Sequence, residues 1–441
     1  MGPPVKITAS QVAEIVGGTM HGPDVSVDGA AIDSRALKPG ALFVPVVAER
    51  DGHQFIDAAL AAGAAAYLTA HRPRGGAAVA VSDTGAALGS LGAWARTQLT
   101  GPVVGITGSA GKTSTKDMLG AVLRPEMPTV VSERSFNNEL GVPLTLFNAD
   151  DGTCSAVVEM GARGFGHIAW LCEVARPDVG VVTNVSTAHT EMFGDLDGVA
   201  RAKGELVAAL PTTGTAVLNA QDERVMLMAS RSEARVLTFG TEVGDVRAVG
   251  AALDDELRVS FRLESPWGSA PVQLEARGTH QALNAAAAAA AALAVGVAVE
   301  SVVDRLQSAP LSPWRMEVTR LPRGALLIND AYNANPASML AALEALRAAP
   351  AKRRIAVVGP MLELGAVSDD AHGAVRLLAD RFGIRLIAVA APAYGGEDVD
   401  TIEEALALVT DLGEGDAVLV KASRAAGLER VAARLAEGDT W

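Results

Sequence analysis

The sequence predicts an α/β protein of three domains, and three observations predict it. Between about 101 and 311, short valine- and isoleucine-rich runs alternate with helical stretches, the pattern of a mostly parallel sheet covered on both faces. A glycine-rich turn, Gly108-Ser109-Ala110-Gly111-Lys112-Thr113-Ser114, joins the first run to an amphipathic stretch, Lys116 to Leu123. A break at Pro310-Leu311-Ser312-Pro313 precedes four more apolar runs separated by helices, a Rossmann-like arrangement. With 441 residues there is length for several buried cores, and the expected domains are 1–100, 101–311 and 312–441.

The first domain reads as small and mixed. A helix is expected over Ile7 to Val16, capped by Thr8 or Ser10, then short strands at Gly29 to Ile32 and Ala41 to Val44. A helix from Phe55 to Ala65 leads to a strand at Ala66 to Leu68, and the Pro73-Arg74-Gly75-Gly76 turn opens another strand and helix. In the second domain the strands are Val103 to Thr107, Ala156 to Glu159, Val179 to Asn184, Ala216 to Asn219 and Val236 to Phe239. A more polar β-rich insert follows over 246–276, alternating as in Leu257-Arg258-Val259-Ser260-Phe261, before an alanine-rich helix near Gln281. In the third domain the strands are Ala325 to Asn329, Ile355 to Val358, Leu386 to Val389 and Ala417 to Val420.

Composition narrows the function. Nearly half the residues are apolar but only 4% are aromatic, so alanine, valine and leucine must fill the cores. A net charge of −14 without any Lys/Arg-rich run excludes nucleic acid and anionic membrane as main partners. Cys154 and Cys172 have neither metal-ligand spacing nor the look of a disulfide framework. The start, Met1-Gly2-Pro3-Pro4-Val5-Lys6, lacks a signal-peptide core, and the most apolar stretch, Ala285 to Val299, is shorter than the roughly 20 residues that span a bilayer. The expected compartment is the cytoplasm and the expected state a monomer.

The glycine-rich turn carries the chemistry. Small residues let backbone N–H groups wrap a polyphosphate, and the helix that follows adds partial positive charge. Lys112, expected on a solvent-accessible loop, would reach the β- and γ-phosphates, and the Thr113 hydroxyl would bind Mg²⁺. The longer G-x-x-x-x-G-K-[ST] pattern would need glycine at Ile106; the tighter Gly108-to-Thr113 form stands in its place. A plain Gly/Ser turn with an exposed lysine is the bland alternative.

Polar residues collect where the other strands end, and that is where α/β sheets bind ligands. Glu159, one strand over if neighbours pair in the usual way, could coordinate Mg²⁺. His189 lies just past the strand ending at Asn184, and Lys203 lies in Ala202-Lys203-Gly204-Glu205; read alone they are a loop histidine and an exposed helix lysine. Asn137 and Asn138, before the apolar run to Thr145, suit a substrate loop, and His280 and Asn284 share one helix face. Asn329-Asp330-Ala331-Tyr332-Asn333-Ala334-Asn335-Pro336 exceeds what one helix cap requires. Gly359 to Gly365 and Lys421-Ala422-Ser423-Arg424 also follow strands, so three strand ends aim polar groups at one edge.

These segments resemble the Mur ligase family, the ATP-dependent amide ligases of peptidoglycan precursor synthesis, over nearly the whole chain. The resemblance rests on Thr107 to Thr113, Asn137-Asn138-Glu139, Glu159-Met160-Gly161, Ala188-His189, Lys203-Gly204-Glu205, Gly278-Thr279-His280 and, most specifically, Asp330 to Met339. It implies ATP and two Mg²⁺ ions. Thr113 and Glu159 would hold one ion, and His189 and a carbamylated Lys203 the other. Gly108, Ser109, Ala110, Gly111, Lys112, Ser114, Asn284, Arg315 and Asp330 would contact ATP. Ser34 and Arg35 resemble a uridine-contacting segment, Tyr332, Asn333 and Lys421 would bind substrate, and Asn335, Glu363 and Ser423 would lie nearer an incoming amine. The implied substrates are a UDP-muramoyl peptide, activated as an acyl phosphate, and an amino acid or dipeptide; for the branch carrying the Asp330-to-Met339 signature the pair is the tripeptide and D-alanyl-D-alanine.

The chain departs from the family pattern at Val44 to His53, at Pro360 where aspartate is usual, and at Ala422 where glycine is usual. A paralogue joining another carboxylate and amine is therefore an alternative. Others are a phosphotransferase needing no amine, and a non-catalytic nucleotide-binding regulator.

Overall fold

Strands with helices on both faces must be apolar throughout, and Val103–Thr107, Ser155–Glu159 and Val179–Val182 are buried at every position. They stand side by side, one strand in from an edge, in a nine-stranded sheet of the computed structural model, which describes residues 6–187 and 190–437. From one edge, Thr129–Val131, Ser155–Glu159, Val103–Thr107, Val179–Val182, Thr215–Asn219, Arg235–Gly240 and Val246–Leu253 run parallel. Arg258–Ser265 and Gly268–Arg277 then add antiparallel strands. The stretch read as an insert is thus continuous with the central sheet, and its alternation reflects one buried and one wet face.

The phosphate-loop helix starts at Lys112, directly on Gly111, and runs to Glu126. The alanine-rich helix His280–Ala294 packs on it and on the sheet in one apolar cluster. Alanine at eight successive buried positions, Ala285 to Ala292, keeps that approach close.

Thr19–His21, Ala77–Ala80, Ala66–Thr69, Leu42–Phe43 and Ala30–Ala31 make a five-stranded sheet, beside a two-stranded pairing of Lys6–Thr8 with Ser26–Asp28. That pairing delays the first helix to Ala9, where Thr8 and Gln11 form a capping box. The helix expected to run to Ala65 ends at Ala61, because Gly63 turns the chain at φ +97°. The Thr84–Gln98 helix joins this region to the central one: a Cβ on Gly92 would lie 2.5 Å from Pro143 Cα, and one apolar cluster spans Ile7 to Leu206.

The six-stranded sheet orders as Glu317–Arg320, Leu326–Asn329, Asp416–Lys421, Arg353–Val358, Arg385–Val389 and Glu397–Val399, parallel except for the first. The four inner strands are those the sequence predicts. The two edges are short and half-exposed, without an apolar run to announce them. The fold is α/β throughout, and among the described residues no helix is long and apolar enough to cross a membrane.

Candidate active site

Ends of strands from the nine-stranded and six-stranded sheets line one cavity of about 650 Å³. The phosphate loop forms one wall. Gly108 has φ +149°, and a Cβ there would lie 1.8 Å from Thr183 Oγ1; Gly111 has φ +81°, and its Cβ would lie 2.4 Å from Asn284 Oδ1. Only glycine fits either place. Asn184, at the neighbouring strand end, shapes the loop: its Oδ1 accepts from Ser109 N at 3.1 Å and Ala110 N at 2.9 Å. Thr183 Oγ1 donates to Ala110 O at 2.6 Å. Lys112 is half-buried rather than freely exposed, with Nζ donating to Gly108 O at 2.7 Å. Burial lowers its pKa, Glu159 and Glu363 oppose that, and Arg315 adds to it.

Glu159 stands on the adjacent parallel strand, as its sequence position predicts. It is 1% exposed; Oε2 accepts from Thr113 Oγ1 at 2.7 Å and Oε1 from Asn137 Nδ2 at 2.8 Å. A carboxylate and a hydroxyl held together in a cavity are hard oxygen donors and fit Mg²⁺. Lys203 lines the same cavity at 2% exposure, with no hydrogen-bond partner among the described residues. Burial, then the nearby Lys112, push its amine well below the ordinary lysine range. It is not the exposed lysine of the bland reading. His189 lies outside the described residues.

The third domain supplies the opposite wall. Arg315 Nη2 donates to Thr113 Oγ1 at 2.8 Å, and its guanidinium lies 4.3 Å over the Tyr332 ring. Tyr332 OH in turn meets Ser135 Oγ in a short hydrogen bond. Left-handed backbone at Trp314 and Met316, φ +60° and +54°, presents Arg315 between them. Asn335 serves twice: Oδ1 caps the Pro336–Ala348 helix and Nδ2 donates to Ser109 O at 3.4 Å. Asp330 accepts from Met316 N at 3.1 Å and pairs with Lys421 at 2.5 Å. Lys421, also bonded to Asn333 O, is therefore already neutralised, a different setting from the substrate-facing cation expected. Glu363, Ser423 and Asn333 line the cavity too.

Asn284 donates to Gln281 Oε1 at 2.8 Å beside Gly111. His280 is held neutral, its pKa lowered to about 4 by burial, with Asp330 opposing and Lys421 adding. Among the described residues its buried Nδ1 has no partner, so the ring offers a hydrogen-bonding edge to a ligand. Among the described residues, six Lys and Arg side chains and three carboxylates line the cavity, a cationic interior in a chain of net charge −14.

Some expected residues are elsewhere. Ser34 and Arg35 do not line the cavity; Arg35 is exposed and forks onto Asp33 at 2.7 and 2.9 Å. Asn138 is used locally, its Oδ1 accepting from Gly141 N at 2.9 Å at the start of the Gly141–Phe147 helix. Neither Pro360 nor Ala422 lines the cavity: the Ala422 methyl packs into a core cluster, and its backbone is not left-handed, so glycine is not needed there. Sequence reading assigned no role to Asn184, Ser135, Arg163 or Arg424, all cavity-lining. Asn184 and Arg424 had a signal, their place just past a strand end.

Asp51, His53 and His71 also lie close together. His53 Nε2 accepts from Ala70 N at 3.0 Å, so its proton sits on Nδ1 facing Asp51 at 2.6 Å. That leaves two donors for a metal rather than three.

A cationic cavity built on a phosphate loop and completed by a second α/β sheet defines an enzyme that holds a nucleoside triphosphate between domains. Comparison with known proteins gives its kind. The family model described as Mur ligase middle domain matches residues 106–292, and that described as Mur ligase, glutamate ligase domain matches 314–440. The chain belongs to the Mur ligase family, ATP-dependent ligases that form amide bonds. It is 40% identical to the UDP-N-acetylmuramoyl-tripeptide–D-alanyl-D-alanine ligase of Mycobacterium tuberculosis, over 99% of each chain. Among solved structures it resembles MurF from Acinetobacter baumannii, with a TM-score of 0.90 and 32% identity over 99% of this chain and 100% of that one. MurF from Thermotoga maritima in complex with ADP matches at a TM-score of 0.83 and 30% identity, over 93% and 97%.

Proposed function

We propose that this chain joins D-alanyl-D-alanine to UDP-N-acetylmuramoyl-tripeptide at the expense of ATP, in cytoplasmic peptidoglycan precursor synthesis. The observation that carries the reading is the Thr113 hydroxyl, bonded at once to Glu159 of the central sheet and Arg315 of the third. It makes the nucleotide site a product of domain contact. Three working units, 1–100, 101–311 and 312–441, follow from the same reading.

The residues divide the work. The phosphate loop and Lys112 hold the triphosphate, and Asn284, His280 and Asp330 surround the rest of the nucleotide. The substrate carboxylate attacks the γ-phosphorus, and ADP leaves as the bond from phosphorus to its β-phosphate oxygen breaks, giving an acyl phosphate. The amine then attacks the acyl carbon, and phosphate leaves from the tetrahedral intermediate. Both steps concentrate negative charge, which Lys112 and Arg315 stabilise as it moves. Thr113 and Glu159 would hold one Mg²⁺, and Lys203, as a carbamate, would join His189 at a second; bound metal supplies Lewis-acid stabilisation of phosphoryl oxygens. Lys203 is buried without a hydrogen-bond partner among the described residues, and burial disfavours its charged form; since carbon dioxide reacts with the unprotonated amine, this setting suits it to carbamylation. Glu363 and Ser423 lie on the amine side.

Incubation with ATP, Mg²⁺, UDP-muramoyl tripeptide and D-alanyl-D-alanine tests the reading. ADP and phosphate release requiring both substrates, with the ligated product seen by mass spectrometry, is expected. Release with the tripeptide alone would mark a phosphotransferase, and turnover only with another pair a paralogue.

A further inference from the structure

The loop Gly359 to Gly365 follows the Arg353–Val358 strand and delivers Leu362 and Glu363 to the cavity. Glu363 has φ +65°, a left-handed conformation that a residue with a side chain adopts only when its surroundings hold it. The holding groups come from outside the loop. Tyr394 OH donates to Gly359 O at 3.1 Å. Met361 N donates to His372 Nε2 at 2.9 Å, and Leu362 N to Ser423 Oγ at 2.9 Å. His372 is 3% exposed, sits on the Ser368–Arg381 helix and meets the Tyr394 ring edge-on at 4.6 Å. Its Nδ1 lies 2.7 Å from Ser368 O. Accepting at one nitrogen and donating at the other defines a single neutral tautomer. No step of the proposed reaction uses this imidazole.

We infer that His372 is a positioning residue for the amine substrate: by fixing the Met361 amide it holds the Pro360–Glu363 backbone in the shape that turns Glu363 toward the cavity. The inference rests on the proposed assignment of this loop to the amine side. Replacing the ring by an apolar side chain leaves a buried N–H without an acceptor, and the loop relaxes to satisfy it. The phosphate loop, on the other wall, has no bond to His372.

Two measurements on His372→Leu and His372→Gln test this, alongside melting curves. The first is hydrogen–deuterium exchange. The Leu variant should lose protection over 359–365 while the strand 353–358 keeps it, and the Gln variant, which retains an acceptor, should keep most of the loop protection. Unchanged exchange in His372→Leu overturns the positioning role whatever the substrate. The second is steady-state kinetics. KM for D-alanyl-D-alanine should rise by about tenfold or more in His372→Leu, with partial rescue in His372→Gln and KM for ATP within about twofold of wild type. Equal movement of all KM values, or activity loss that simply follows a collapsed melting temperature, overturns it. Should His372→Leu not fold, Tyr394→Phe removes only the Gly359 contact and should shift the same KM in the same direction; no shift counts against the proposal. A wild-type protein inactive with this substrate pair would defeat the proposed function, while the exchange measurement would still decide the role of His372.

Discussion

Three residues carry charge states that the fold imposes. Among the described residues Lys112 bonds only to its own loop, so Lys112→Ala should leave the melting temperature nearly unchanged while lowering kcat by more than about 100-fold, read by ADP release. Lys203 is driven below its ordinary 10.5 by burial. Between the folded and unfolded values the unfolded chain binds more protons, so stability rises with pH across that window. Lys203→Met removes this burden. In carbon dioxide-free buffer at pH 7 the variant should melt above wild type, with the difference narrowing toward pH 10.5, and it should be inactive. Bicarbonate should stimulate wild type alone. His280 works with the same sign over a lower window: its folded value near 4 lies below the unfolded 6.5, so its contribution is intact above 6.5 and falls as pH drops toward 4. His280→Asn should flatten that part of an acid-denaturation profile.

Elements matter here through their ends. Lys203 sits on the Leu196–Ala208 helix, and two residues on, Glu205 accepts from Gly166 N at 2.7 Å and Ala169 N at 3.0 Å, at the start of the His167–Ala175 helix. A carboxylate there satisfies orphan N–H groups and complements the helix dipole. Glu205→Ala should lower unfolding free energy by about 1 kcal/mol, read as a lower urea midpoint. Because the cap ties the lysine-bearing helix to the loop after Glu159, it should also weaken bicarbonate stimulation. Asn335 shows why a polar junction is ambiguous in sequence: it is both a helix cap and a contact to the phosphate loop, and neither role excludes the other.

At the scale of the whole molecule, polar groups tie the second and third domains together, Asn335 at Ser109 O among them. Arg315 reaches Thr113, Tyr332 reaches Ser135, and Asp117 Oδ2 accepts from Ser312 N at 2.7 Å in the connecting segment. Arg315→Ala removes the bond to the Thr113 hydroxyl and the stacking on Tyr332. The ligand-free variant should then show a larger radius of gyration by small-angle scattering, and KM for ATP should rise. An unchanged radius would mean that the connecting segment alone sets the closure.

Local rules determined much of this protein. Apolar runs placed the inner strands, because parallel strands are covered on both faces, and a glycine-rich turn between strand and helix announced the phosphate loop. Glu159 could be placed one strand over because neighbouring strands usually pair. The edge strands escaped, since half-exposed residues carry little pattern, and the antiparallel extension was mistaken for an insert because its pattern changes where the sheet continues. Tertiary structure alone decided which polar residues face the cavity. Asn138 bonds locally to Gly141 N instead of lining the cavity, while Lys421 lines it but is paired with Asp330. It also decided that Lys203 is buried without a hydrogen-bond partner among the described residues and that His372 accepts from Met361 N in a loop before its own helix. A sequence specifies which groups are present. Their charge and reactivity depend on desolvation and on partners that only folding brings within reach.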